Sequence, residues 1–143
     1  MTSQKLNLDV WLDALTELAG RAKDANRMAQ NEITRTFHRL TALAPAEVAL
    51  QFDHGSECEL EAICAAGVPA AAVMKLLSPC VGFMISNPPG QPDRTVASVW
   101  VPNQETECTS PPLPCALALV VAASTALILA FGERYEIDDP VIH

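Results

Sequence analysis

Apolar side chains recur every third or fourth position from Leu8 through Trp11, Leu15, Leu18, Ala22, Ala25, Ala29, Ile33, Phe37 and Leu40, with charges between them. That spacing predicts an amphipathic helical region that runs to the neighbourhood of Pro45. Gly20 weakens its middle and Asn26 offers a second start, so one helix or two both fit. Past Pro45 the period shortens to two. Val48, Leu50 and Phe52 share one face of a predicted strand, and Asp53-His54-Gly55-Ser56 reads as a turn. Cys58, Leu60, Ala62 and Cys64 then alternate with Glu57, Glu59 and Glu61 on a returning strand.

Pro69 suits the first turn of a short helix, Ala70 to Leu77, with Val73, Leu76 and Leu77 on its apolar side. Pro79 closes it. Val81 to Ser86 and Thr95 to Val101 read as a second hairpin about the turn-forming residues 87–93. The stretch from Leu113 to Gly132 is apolar and uncharged, with Ala118, Ala122, Ala126 and Ala130 forming a smooth stripe for close packing. Its length would span a bilayer. Acidic residues flank it and only Arg134 is nearby as a cation, so a positive-inside signal is missing and a buried helix is the preferred assignment. The order predicts an α+β fold: an antiparallel sheet of two hairpins, an N-terminal amphipathic helical region (1–44), a short central helix and a long buried C-terminal helix. Residues 1–143 form a single domain in this reading, with 45–143 as its α+β body.

Charge adds an asymmetry to this pattern. The chain of 143 residues has 9 Lys+Arg against 17 Asp+Glu, a formal net charge of −8. Residues 1–43 are nearly balanced, with six basic and five acidic side chains, whereas the remainder holds three basic and twelve acidic. Dense acidic groups stand at Asp53, Glu57, Glu59 and Glu61, and at Glu133, Glu136, Asp138 and Asp139. Such a field repels phosphate backbones, which excludes nucleic acid as the expected partner and favours another protein.

Recognisable chemistry is sparse. Asp53, His54 and Ser56 lie too close together on one turn for a nucleophile, base and orienter to face one another, and no GxSxG elbow or phosphate-binding loop occurs. The five cysteines, Cys58, Cys64, Cys80, Cys108 and Cys115, lack CxxC spacing, and His54, Cys58 and Cys64 are loosely spaced for zinc. No catalytic residue, metal or cofactor is therefore expected. The N-terminus carries no secretory pattern, and with the odd cysteine count this points to a reducing, cytoplasmic setting.

The segments EVALQFDHGSECELEAIC, VPAAAVMKLLSP and VASVWVPN, set between an N-terminal amphipathic helix and a long C-terminal helix, resemble in size, acidity and order the class I type III secretion chaperones. The resemblance implies a homodimer formed through Val73, Leu76 and Leu77. It also implies that a secreted effector's extended segment lies over Trp11, Leu15, Leu50 and Phe52 and is held soluble there. An alternative expectation is an immunity- or antitoxin-like inhibitor that blocks a basic toxin with the Asp53–Glu61 patch, through Glu57, Glu59 and Glu61, or with the Glu133–Asp139 patch. A second alternative is a tail-anchored membrane protein.

Overall fold

The computed structural model describes residues 5–104 and 107–137, with side chains described as far as residue 132. The N-terminal periodicity resolves into two helices, α1 (Leu8–Asp24) and α2 (Gln30–Ala42). Asn7 caps α1 by accepting the Val10 N–H at 2.9 Å. After the extended residue Ala25, Asn26 accepts the Met28 N–H at 2.9 Å and starts the 3-10 turn Arg27–Ala29 that leads into α2. A side-chain oxygen at each start replaces a helical partner that the first N–H groups lack, so Asn26 separates the two segments.

Residues 48–64 do not form the first expected hairpin. Ala46–Val48 is a 3-10 turn, Ala49 is left-handed at φ 52°, and residues 49–56 form a loop. Glu57–Ala65 is a helix, α3. Ser56 accepts the Glu59 N–H at 3.1 Å, and Leu60 and Cys64, four apart, supply the buried side. Ser56 followed three residues later by Glu59 is the capping-box signature; with good helix formers behind it, this outweighs the alternation of apolar and acidic positions.

The short helix α4 spans Pro69–Leu77 with Pro69 in its first turn, as the sequence predicts. The second hairpin is present as β1 (Gly82–Ser86) and β2 (Val96–Trp100), and a three-residue strand β3 (Glu107–Thr109) extends it to a three-stranded antiparallel sheet ordered β1-β2-β3. The fold is thus α+β, with one hairpin plus a third strand where two hairpins are expected.

The long helix α5 (Cys115–Ile137) forms the centre of the core. Leu117, Leu119, Val120 and Leu127 are fully buried and the alanine stripe at 118, 122, 126 and 130 is buried along its length. Helices α1, α2 and α4 pack on it, as do β2 and β3. Removing each leucine side chain from water contributes about 1.5–3 kcal/mol, which is why a helical segment uncharged on every side from Cys115 to Gly132 is stable here. Its segment Cys115–Gly132 is long and apolar enough to cross a membrane and is 72% buried inside the fold.

Candidate functional site

The structure distributes the sequence-nominated residues in an unexpected way. Trp11 and Leu15 are fully buried in the chain's own core, where the Trp11 indole donates to the Leu40 carbonyl at 2.8 Å and meets Phe131 edge-on at 6.3 Å. Phe52 is buried and Leu50 half-buried in the loop before α3. Val73, Leu76 and Leu77 are each 1% exposed or less, because the apolar side of α4 faces α2 and α5. In this conformation a partner reaches neither the N-terminal aromatic anchor nor the expected dimer face.

The acidic group is also rearranged. On a helix, Glu57 and Glu61 share one side while Glu59 lies elsewhere. Glu61 accepts from Arg35 Nε and Nη2 at 2.7 and 2.8 Å, which lowers the Glu61 pKa and raises that of Arg35, the hydrogen bonds being the main cause in both. Glu59 and Asp53 both pair with Lys75 Nζ, at 3.4 and 3.2 Å. Two of the three glutamates are therefore matched within the chain, and the patch offers a toxin much less free negative charge than the sequence suggests. The group Glu133, Glu136, Asp138 and Asp139 lies outside the described side chains.

A polar cluster that sequence spacing does not reveal anchors the 49–56 loop. His38 Nε2 donates to the His54 carbonyl at 2.8 Å, and Thr41 Oγ1 donates to the His38 carbonyl at 2.8 Å. The single Thr41 hydroxyl proton is thereby committed, so His54 Nε2, 3.0 Å from Thr41 Oγ1, is the donor in that pair. Burial, then His38 and Lys5, push the His54 pKa down, with Asp53 opposing. The rings stand edge to face at 5.3 Å, and the Asp53 N–H donates to the Leu76 carbonyl at 3.0 Å. The space among these groups is about 10 Å³, room for a water at most, so the cluster serves to fasten the loop over Phe52. Among the described residues no three His, Cys, Asp or Glu side chains are grouped to hold a metal ion.

The open surface lies at the sheet. Strand β1 pairs only with β2, and its other edge is uncovered among the described residues. Its residues are Gly82, Phe83, Met84, Ile85 and Ser86, without charge or proline, and Met84 and Ile85 are 62% and 44% exposed. Ile85 and Phe83 stand opposite Ala97 and Val99 on the core face, yet β1 lies outside the cover of α5, which packs on β2 and β3. The opposite edge, β3, is short and carries Glu107. Natural edges are blunted by shortness, charge or proline, because unpaired N–H and C=O groups accept another strand. β3 has such protection and β1 does not.

The solvent face of the sheet continues this surface. The register aligns Gly82, Trp100 and Glu107 in one row and Met84, Ser98 and Thr109 in the next, with Ser98 and Thr109 hydrogen-bonded at 2.9 Å. The half-exposed Trp100 indole extends over Gly82, where a Cβ would fall against Cε2, Nε1 and Cζ2 of the ring. Charge-free β1 was visible in the sequence; that its edge is the open one depends on strand order, which the sequence pattern leaves undetermined. Comparison of the chain with protein-family models, curated proteins and solved structures gives no match.

Proposed function

We propose that this chain is a protein-binding module that holds an extended segment of another protein, taken up as a fourth strand along β1. The observation that carries the proposal is the uncovered, uncharged β1 edge with Met84 and Ile85 exposed beside it. Main-chain hydrogen bonds to the free edge supply affinity without regard to sequence, while alternate side chains of the incoming strand rest on Phe83 and Ile85 or on Met84. Such a module shields an aggregation-prone segment of its partner, as a chaperone does, and its net charge of −8 keeps the pair soluble. The pairing of Glu59 with Lys75 and of Glu61 with Arg35 weighs against an inhibitor that acts through the Asp53–Glu61 patch.

The test is an amide-resolved NMR titration with a peptide of alternating valine and threonine. Binding is expected to perturb and protect amides of Gly82–Ser86, and Ile85→Lys, which adds an edge charge, is expected to abolish it without unfolding the protein. Perturbations centred elsewhere, or the same protection appearing from protein concentration alone, would overturn the proposal.

A further inference from the structure

The row Gly82, Trp100 and Glu107 adds a chemical preference to the open edge. We infer that β1 selects segments carrying a basic side chain, arginine above all, at the position that pairs with Gly82. This rests on the strand-addition reading of β1.

Each strand of a sheet lies roughly 4.8 Å from the next, so the residue paired with Gly82 on an added strand stands about 10 Å from the backbone of β2. An ordinary side chain at residue 82 would fill the intervening space. Gly82 has none, and the Trp100 indole projects from β2 across the gap. A side chain arriving at that position on the solvent face therefore meets the indole directly. On the far side of β2 from Gly82, on β3, stands the exposed Glu107, paired with Trp100 in the register and so on the same solvent face.

An indole in one row with a carboxylate favours a cation: a guanidinium stacks on the ring and lies in the field of Glu107, two strands from Gly82 across the same face. A carboxylate arriving there would face Glu107 and the wider field of a chain with net charge −8. The core side of the edge requires the opposite character, because neighbours of Phe83 and Ile85 cover apolar surface. Combining the two faces gives the pattern basic, apolar, any, apolar, in either chain direction, with the basic residue next to the first apolar one. The partner is thus an extended, basic-flanked apolar segment of another protein.

The probes are two labelled peptides of about ten residues, identical except that one has Arg and the other Gln at the basic position of a Val-Thr-Val core, together with a scrambled control. Fluorescence anisotropy is expected to show the Arg peptide binding about two- to fivefold tighter than the Gln peptide, the range of an exposed cation–π contact. That ratio should fall toward one in Glu107→Gln and in Trp100→Leu, while the Gln peptide keeps its affinity for both. Glu107→Gln is a surface change that leaves the fold in place should Trp100→Leu disturb it. Equal binding of the Arg and Gln peptides to the unaltered protein overturns the cation preference but leaves strand addition standing. Binding no better than the scrambled control overturns strand addition itself.

Discussion

Replacing Gly82 by Ala sets two effects of opposite sign against each other. Within a strand, Ala is favoured over Gly by about 0.5–1 kcal/mol, because less backbone freedom is lost on folding. Gly82 is not among the glycines held at positive φ, so its backbone accepts a side chain. The obstacle is the Trp100 indole, which occupies the position of the new methyl group. Forcing a methyl into occupied space costs roughly 1–3 kcal/mol, as the ring must leave its place over the strand. The net expectation is a destabilisation of about 1 kcal/mol, with a range from near zero to about 2.5. In a Trp100→Leu background the obstacle is gone, and the same change should stabilise by a few tenths to 1 kcal/mol. Urea denaturation of the four proteins, followed by far-ultraviolet circular dichroism, gives the coupling directly. A coupling of about 1–3 kcal/mol is expected, and a value under about 0.3 would refute the claim that the ring over Gly82 decides the outcome. Emission from Trp100 should shift to the red in the Gly82→Ala protein, since the displaced indole becomes more solvated.

Three further outcomes follow from the packing. The folded pKa of His54 lies below the ordinary value of 6.5, so the unfolded chain takes up that proton first, and stability falls as pH drops from about 6.5 toward the folded pKa. Urea midpoints between pH 7.5 and 5 should decline less in His54→Gln than in the unaltered protein, and parallel declines would contradict this. Ser56→Ala removes the cap of α3 and should lower stability by about 1 kcal/mol, with Ser56→Asp retaining most of it. The Ser124 hydroxyl is fully buried in α5 without a hydrogen-bond partner, so Ser124→Ala should raise stability by about 1 kcal/mol in a thermal melt, and a loss would show that the hydroxyl is satisfied.

Long-period features of the fold are legible because they are local. The spacing from Trp11 to Leu40 marks the helical stretch that holds α1 and α2, and the proline at 69 and the uncharged run from Leu113 mark α4 and α5, all without reference to the rest. Residues 57–64 mislead because Glu-Cys-Glu-Leu-Glu-Ala satisfies a period of two while Leu60 and Cys64 satisfy a helical one. The cap at Ser56 and the neighbouring α4 favour the helix. The amphipathic stripe of α1 is read correctly as apolar, but only the position of α5 shows that Trp11 and Leu15 face the chain's own core. The His38, Thr41 and His54 cluster joins residues 16 apart through a loop with no repeating pattern, so no spacing announces it. Trp100 is hidden for a similar reason, since its importance comes from Gly82, eighteen positions away in sequence and opposite in register.

An apolar edge on a strongly acidic chain raises the question of why copies would not pair through β1. The strand itself has no charge to prevent it, and two antiparallel copies centred on Met84 bring no like charges face to face. What opposes self-pairing is the field of the whole chain: each copy carries −8, and at physiological salt that repulsion acts over about 8 Å before it is screened. The same field attracts a basic-flanked segment. Rising salt should therefore act in opposite directions on the two events, weakening the Arg peptide and permitting more self-association. The Gln peptide should respond little. Light scattering and anisotropy across 50–500 mM salt separate the two events, and a joint strengthening of both would show that apolar contact alone governs β1, with charge having no part in excluding the second copy.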